Sequence, residues 1–248
     1  MNWDKLQRLA IAPSELQSGK IVLTTQQQHY LGNVLRLRQG DRFIAMDGMG
    51  QWWLAKLGGT QAEILEPIRA QTELAISITL MVALPKGNGF DEVVRHCTEL
   101  GVVAIMPVVS DRTLPKPNVQ KLERWRRIAQ EAAEQSERQI VPTILTPVPF
   151  RTGLSGGKQS HQYICVARGS YPHLLSCLPT TIPDADSGSI IIATGPEGGW
   201  TASEVEEAIT AGFQPVSLGR RILRAVTAPV VALSVIAAAL EDRSQNRR

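Results

Sequence analysis

The sequence is poor in the features that mark disulfide-rich and membrane-spanning proteins. It has three cysteines in 248 residues, an odd number, and each sits in an apolar segment, so we expect packed, reduced thiols. Its most apolar run, 225–240, is shorter than the roughly 20 residues that cross a bilayer. Residues 1–19 carry Asp4, Lys5, Arg8 and Glu15 without an apolar core, unlike a secretory signal. We therefore expect a cytoplasmic protein with no membrane partner.

Excess charge and metal-ligand clusters are also missing. The formal net charge is only +3, which is compatible with a nucleic-acid partner but does not indicate one. His161 with Cys165 and His173 with Cys177 are the closest approach to a metal motif. The closely spaced ligand pairs of a structural zinc site are absent from the sequence, and four residues of strand span about 13 Å. We expect no bound metal.

The pattern of apolar runs and turns in the sequence changes near residue 72. Residues 1–72 hold short apolar runs with glycine-rich turns, which predicts a small β-barrel, and Pro67 interrupts the polar stretch that ends it. From residue 73 to 248, strand-like and helix-like stretches alternate, which predicts a mainly parallel sheet flanked by helices. The predicted fold class is therefore α/β with a small N-terminal β domain. Within the larger domain, we expect 152–158 to be an exposed loop.

A glycine-bearing loop at 193–201 is the first candidate site. Its sequence, Ala-Thr-Gly-Pro-Glu-Gly-Gly-Trp-Thr, lies between an expected strand at 189–193 and a helix that Thr201 and Glu204 begin as a capping box. Glycines there allow backbone N–H groups to approach a ligand closely, although a plain tight turn is an equal alternative. Loops at the carboxyl ends of strands are where α/β proteins bind ligands.

An arginine-bearing loop at 218–229 is the second candidate. Arg220, Arg221 and Arg224 offer planar cations suited to phosphate or an anionic base, whereas the simpler interpretation is a solvated basic turn. Ile222 and Leu223 lie between them, and we expect both to be buried and to hold the loop. The helix predicted at 228–241 is apolar almost all round, so it must be buried on more than one side.

The two loops resemble the C-terminal signature of the bacterial 16S ribosomal RNA uracil-N3 methyltransferases, which belong to the SPOUT class of S-adenosylmethionine-dependent enzymes. Further matches lie at Leu-Pro-Lys 84–86, Thr-Glu-Leu-Gly-Val 98–102, Glu-Ala-Ala-Glu-Gln-Ser 131–136 and Val-Leu-Arg 34–36. The matching residues within the loops and outside these blocks are Gly195, Pro196, Glu197, Gly198, Gly199, Trp200, Leu218, Gly219, Arg221, Ile222, Leu223, Arg224, Thr227, Ala228, His29, Arg138 and Pro142. One departure is Val226, where the family usually has glutamate.

This resemblance implies a fold and partners that composition does not. It implies a PUA-like RNA-binding domain at 1–72 and a SPOUT domain at 73–248, whose C-terminal segment forms a trefoil knot instead of the usual unknotted chain. The knot would bring loops 168–169, 195–199 and 218–223 together around S-adenosylmethionine. The implied partners are 16S ribosomal RNA, within the small ribosomal subunit, and a second copy of the chain, with the helix at 228–241 as the homodimer seam.

The resemblance and the loop chemistry together give three groups of predicted site residues. Arg224 and Arg220 are the candidates to stabilise a uracil anion, because arginine is too basic to remove the N3 proton; Glu197 is a polar candidate with a competing capping role. The cofactor-binding candidates are Ala167, Gly169, Thr194, Gly195, Pro196, Glu197, Gly198, Gly199, Leu218, Gly219, Ile222 and Leu223. The RNA-binding candidates are His29, Arg36, Arg38, Lys86, Arg138 and Arg221.

Three other interpretations compete with this one. A dinucleotide-type site would need a third glycine after Gly87 and Gly89, but Glu92 stands there. A non-catalytic RNA-binding or ribosome-assembly factor could keep the fold without transferring methyl groups. A SPOUT methyltransferase could also act on another RNA nucleotide, since only the resemblance indicates the target.

Overall fold

A computed structural model describes residues 5–113, 119–155, 161–179 and 188–245. The chain forms two compact units, one of Met1–Glu73 with Ala133–Val141 and the other of Leu74–Ala132 with Pro142–Arg248. A stretch from the middle of the sequence therefore belongs to the N-terminal unit. Of the predicted exposed loop 152–158, residues 156–158 lie outside the described residues.

The N-terminal unit is built on a mixed sheet whose strands follow the order β1-β4-β5-β6-β3-β2. Strand β1 pairs with β4 in parallel, and the other neighbours pair antiparallel. A helix of one α-turn continues as a π-helix over Tyr30–Val34, and Thr24 and Gln27 form its capping box. The elements are β1 (Arg8–Ala10), β2 (Leu16–Gln17), β3 (Lys20–Val22), α1 (Thr25–His29), β4 (Arg42–Met46), β5 (Trp52–Leu57) and β6 (Gln61–Ile68).

The core of this unit explains why these strands form. Ile21, Phe43 and Ala55 are fully buried in one apolar cluster, as expected for strands that turn β-branched and aromatic side chains inward. The segment 133–141 is joined to the sheet by polar contacts, in which Glu134 accepts a hydrogen bond from the Ala10 amide at 2.8 Å. The predicted β-rich domain is confirmed, while β6 continues through Pro67, where the sequence suggested an interruption.

The C-terminal unit is an α/β sheet with the strand order β10-β8-β7-β12-β11-β13, and β9 also pairs with β8. Each of these pairings is parallel, which confirms the predicted parallel sheet flanked by helices. Its elements are β7 (Ser77–Ala83), α2 (Gly89–Glu99), β8 (Ala104–Val109), α3 (Val119–Gln135), β9 (Thr143–Ile144), β10 (Val148–Pro149), α4 (Phe150–Leu154), β11 (His161–Cys165), α5 (Leu174–Cys177), β12 (Ser189–Thr194), α6 (Ala202–Thr210), β13 (Gln214–Val216) and α7 (Thr227–Gln245).

Two local expectations for this unit are wrong. The start of the predicted loop at 152 is helical in α4, because Phe150 and Gly153 are buried against the sheet, where a Cβ on Gly153 would touch Met106 Sδ at 3.2 Å. Helix α7 continues to Gln245, beyond the predicted end at 241. Among the helices in the described ranges, none is long and apolar enough to cross a membrane.

The order of the strands determines where a site can form. Strands β11, β12 and β13 run parallel, so the loops that follow them leave from the same edge of the sheet. Strand β12 lies between β7 and β11, and its residues Ile190, Ile192 and Ala193 are fully buried, as predicted for a strand covered on both faces. The knot implied by the resemblance concerns chain threading and stays a prediction.

Candidate functional site

A cavity of about 280 Å³ lies at the carboxyl edge of the C-terminal sheet. Four loops contribute to it, following β8, β11, β12 and β13, together with the first turn of α7. It is lined by Arg112, Cys165, Val166, Ala167, Arg168, Gly195, Pro196, Glu197, Gly198, Gly199, Trp200, Leu218, Gly219, Arg221, Ile222, Leu223, Ala225 and Ala228. Backbone-rich loops, apolar side chains and cations thus share one space.

The glycine loop, residues 195–200, needs its glycines for space as well as for conformation. A Cβ on Gly195 would lie 3.2 Å from Trp200 Cε2, and a Cβ on Gly198 would lie 3.0 Å from Arg112 Cδ. Gly199 has φ +68°, a conformation that side chains other than glycine rarely adopt, and its amide donates to the Pro196 carbonyl at 2.8 Å. The loop is therefore compact and packed closely against its neighbours.

Glu204 joins the glycine loop to the loop that follows β8. Its side chain is only 2% exposed. One carboxylate oxygen accepts from the Thr201 amide at 2.8 Å, completing the predicted capping box of α6, and the other accepts from the Asp111 amide at 2.9 Å. Next to Asp111, the Arg112 guanidinium donates to the Gly198 carbonyl at 2.6 Å. Two contacts thus hold the β8 loop beside the glycine loop.

Glu197 has a structural contact. Its Oε1 accepts a hydrogen bond from the Lys86 amide at 2.9 Å, which fixes the loop between β7 and α2. This is the capping role that competes with the predicted polar site role. The Glu197 carboxylate also lines the cavity, where it adds a negative charge to the wall.

The arginine loop, residues 218–226, makes fewer side-chain contacts. Ser217 Oγ accepts from the Gly219 amide at 3.1 Å, and the Arg224 carbonyl accepts from the amides of Thr227 and Ala228 at 2.9 Å. Ile222 is 67% exposed, so the expectation that it is buried is wrong; it lines the cavity rim instead of packing beneath the loop. The side chains of Arg220, Arg221 and Arg224 are exposed.

Val226, the departure from the family signature, fills a defined space. A Cβ on Gly89 would lie 2.7 Å from Val226 Cγ1, so the side chain sits directly over the first residue of α2. Val226 also directly precedes α7, which begins at Thr227. It is therefore a packing residue between the end of the arginine loop and α2.

Most of the predicted cofactor-binding residues meet at this cavity. Those that line it are Ala167, Gly195, Pro196, Glu197, Gly198, Gly199, Leu218, Gly219, Ile222 and Leu223, joined by Arg221 from the RNA-binding group. Gly169, Thr194, Arg220 and Arg224 are not among the lining residues. Thr194 is buried at the end of β12, and its Oγ1 has no hydrogen-bond partner within the described residues.

Sequence reasoning missed several residues of the site. Trp200 is identified only as part of the family signature and Arg168 only through the loop at 168–169, whereas Arg112 is missing from the predicted site. Each follows a strand of the parallel sheet at its carboxyl end, so the strand-end rule, applied to β8 as well, could have found Arg112.

The predicted RNA-binding residues have different environments. Arg138 is 3% exposed and its guanidinium pairs with Glu73, so the expected direct contact of Arg138 with RNA is corrected to an internal ion pair of the N-terminal unit. His29, Arg36 and Arg38 are exposed, and His29 Nδ1 lies 2.8 Å from Asn33 Nδ2. Lys86 is exposed beside Glu197.

The cysteines are free thiols, of which Cys165 lines the cavity. Burial raises the pKa of Cys165 to about 12 and raises that of Cys97 as well, so both thiols stay protonated at neutral pH. Within the described ranges, no group of three histidine, cysteine or acidic side chains is arranged to hold a metal ion.

Comparison with known proteins gives concordant matches along the chain. Residues 72–237 match the RNA methyltransferase domain and residues 23–66 match the RNA methyltransferase PUA domain. The chain is 50% identical to the ribosomal RNA small subunit methyltransferase E of Synechocystis sp., over 95% of this chain and 78% of that protein. It is 31% identical to the Bacillus subtilis protein of the same name, over 86% of this chain and 88% of that protein.

Two solved structures have the same architecture. The Neisseria gonorrhoeae ribosomal RNA small subunit methyltransferase E, bound to S-adenosyl methionine, superposes with a TM-score of 0.84 at 33% identity, over 94% of this chain and 97% of that one. A putative methyltransferase from Legionella pneumophila in complex with the bound cofactor SAM superposes with a TM-score of 0.82 at 27% identity, over 95% and 98%.

Proposed function

The chain belongs to the ribosomal RNA small subunit methyltransferase E family, and from this premise we propose that it transfers a methyl group from S-adenosylmethionine to N3 of a specific uridine in 16S ribosomal RNA. The observation that carries the proposal is the cavity at the carboxyl edge of the parallel sheet, where the glycine and arginine loops meet. Its backbone-rich wall suits a cofactor, and its cations suit an anionic substrate.

The residues around the cavity fit S-adenosylmethionine. Gly199 and Gly219 line the cavity, and a Cβ on either would meet nothing within 4 Å, so no side chain stands over their main-chain groups, which suits the polar edges of a nucleoside. Leu218 and Leu223 supply apolar surface for the adenine ring. The lining cations can pair with the carboxylate of the methionine portion.

The chemistry needs a charge stabiliser more than a strong base. When bound, the cofactor supplies a methyl group on a positively charged sulfur, which keeps the C–S electron pair as the N3–CH₃ bond forms. The uracil N3 proton must leave to solvent or to a side chain, and negative charge then spreads over the uracil oxygens. Arginines are protonated at all working pH values, so those of the arginine loop, Arg221 and Arg224, act as electrostatic stabilisers.

We also propose a homodimer in which α7 forms the seam. Val231 and Val235 on this helix are only half-buried, and Ile222 at the rim of the cavity is 67% exposed. A second copy would cover these apolar side chains and bring its own surface toward the site. The N-terminal unit, with Arg36 and Arg38 exposed, is proposed to bind RNA, and the location is proposed to be the cytoplasm, where ribosomes assemble.

The experiment that tests the function measures methyl transfer from labelled S-adenosylmethionine to small ribosomal subunits lacking native modification. Nucleoside mass spectrometry should identify 3-methyluridine, and Arg224→Ala should abolish most of it. Arg126→Gln is the matched control, because Arg126 lies on α3 in an ion pair with Glu123, outside the cavity lining. A different methylated nucleoside would indicate another RNA target. Saturable cofactor binding without transfer would indicate another RNA substrate, and no cofactor binding at all would favour a non-catalytic RNA-binding protein.

A further inference from the structure

Arg112 stands out among the three arginines that line the cavity. It follows β8, whereas Arg168 follows β11 and Arg221 belongs to the arginine loop. Within the described residues, Arg112 has a side-chain hydrogen bond, to the Gly198 carbonyl at 2.6 Å, whereas Arg168 and Arg221 have neither a hydrogen bond nor an ion pair. Of the three lining arginines, Arg112 is therefore the one whose guanidinium is held in place by the protein before a ligand binds.

The position of Arg112 is fixed at three levels. Its stem lies against the glycine loop, where a Cβ on Gly198 would come within 3.0 Å of Arg112 Cδ and 3.3 Å of Cβ. The preceding amide, of Asp111, donates to buried Glu204. On either side of this pair, the hydroxyl oxygens of Ser110 and Thr113 are hydrogen-bonded at 2.8 Å. Gly198 thus provides the room that brings the guanidinium to the cavity wall.

Most N–H donors of the exposed Arg112 guanidinium have no protein acceptor within the described residues. An arginine has five N–H donors, of which the Gly198 carbonyl takes one. Within the described residues, Arg112 forms no ion pair, although Asp111 is its neighbour in sequence. A planar cation facing a cavity with unused donors is complementary to an anionic oxygen. The other charged groups at the cavity are Arg168, Arg221 and Glu197, and those behind the loop are Asp111 and Glu204.

We propose that Arg112 is a catalytic residue that stabilises negative charge on an oxygen of the target uracil. This rests on the proposed function. In the step concerned, the N3–H bond breaks and the proton passes to water, leaving charge on N3 and the two ring oxygens. The N3–CH₃ bond then forms as the C–S bond breaks, and sulfur keeps that electron pair. A donor that is already in place when charge develops stabilises the transition state most, which favours the base over a phosphate as the partner of Arg112.

The test uses the full-length protein with Arg112→Gln and Arg112→Lys, and Arg126→Gln as a control that also removes one positive charge. Isothermal titration measures the Kd for S-adenosylmethionine, filter binding measures the Kd for unmethylated small subunits, and single-turnover rates are recorded across pH. Arg112→Gln should lower the rate about 100-fold, the typical effect of losing one stabilising donor, while both Kd values change less than about twofold. Arg112→Lys keeps the positive charge but lacks the planar guanidinium, so it should lower the single-turnover rate about tenfold.

The pH profile separates a chemical role from a structural one. Because the cation favours the uracil anion, it lowers the pKa of the bound N3–H group, and its removal should move the rising limb of the rate to higher pH. A variant that merely loosens the glycine loop would lose cofactor affinity without this shift, and that result overturns the proposal. Weaker RNA binding with a smaller salt dependence would assign Arg112 to a phosphate and overturn it too. An inactive wild-type protein would overturn the function itself, whereas an active Arg112→Gln protein overturns only this residue's role.

Discussion

The two loops of the site are held in different ways. The glycine loop receives contacts from other parts of the chain, through the Lys86 amide, the Arg112 guanidinium and the Trp200 indole, which donates to the Cys165 carbonyl at 3.2 Å. Within the described residues, the hydrogen bonds of the arginine loop run to residues next to it in sequence, and its arginines and Ile222 are exposed. One wall of the cavity is therefore complete within the chain, whereas the other presents side chains outward. Such side chains are suited to a partner, either the RNA or a second copy.

The largest loss of stability is expected from a substitution in the glycine loop. Trp200 packs on Phe150 with ring centroids 4.5 Å apart and covers Gly195. Trp200→Ala should lower the free energy of unfolding by about 3 kcal/mol, the lower end for removing a packed tryptophan. Ile222→Ala in the arginine loop should change it by less than about 0.5 kcal/mol, as exposed positions do. Urea denaturation of both variants measures the difference, and equal losses would contradict the comparison.

A smaller loss is expected from the buried carboxylate that joins two loops. Glu204→Ala removes the acceptor for the Thr201 and Asp111 amides and should cost about 2 kcal/mol of stability, as expected for a lost N-terminal cap with a second unsatisfied donor. Glu206→Ala is the matched control, since Glu206 is exposed on the same helix. Its unfolding free energy should stay within about 0.5 kcal/mol of the wild-type value. If the two variants were equally stable, Glu204 would not hold the loops together.

The sequence predicts well what depends on neighbouring residues. The strand at β12, the capping box of Thr201 and Glu204, and the parallel sheet all follow from short-range patterns, and all are present. Arg112 was missed because its role depends on Gly198, 86 residues away in the chain. No periodicity carries that information; only the strand order brings the two together.

Charged residues show the same limit. Arg138 and Arg36 look alike in the sequence, but Arg138 is buried in an ion pair with Glu73 whereas Arg36 is exposed. The partner of Arg138 lies 65 positions away. The prediction for Ile222 is wrong in the opposite sense, because its apolar side chain suggests burial whereas the structure exposes it at the rim of the cavity. Burial of a single residue is decided by the tertiary neighbours, which a pattern of residue types does not identify.

Substitutions of Glu197 test whether its carboxylate holds the glycine loop or takes part in the reaction. If its main role is to accept from the Lys86 amide, then Glu197→Gln keeps an acceptor and should bind S-adenosylmethionine within about threefold of wild type, because a neutral acceptor replaces a charged one. Glu197→Ala should weaken binding about tenfold, since the Lys86 amide loses its partner. Titration calorimetry compares the two. A Gln variant with normal cofactor affinity but no methyl transfer would instead assign the carboxylate to the chemistry.

Val226 gives the smallest expected effect, because it belongs to the junction between the arginine loop and α2 and does not line the cavity. Val226→Glu restores the residue usual in the family, and its carboxylate would reach the first turn of α2, where unpaired amides and the helix dipole favour a negative charge by about 0.5 kcal/mol. That gain offsets the lost packing over Gly89, so turnover should change by less than about tenfold, or 1.4 kcal/mol. Val226→Ala, which removes the packing without adding charge, is the control and should also stay within that range. A hundredfold gain in Val226→Glu alone would mean that the glutamate acts on the reacting groups, and that the arginine loop depends on a charge which this chain lacks.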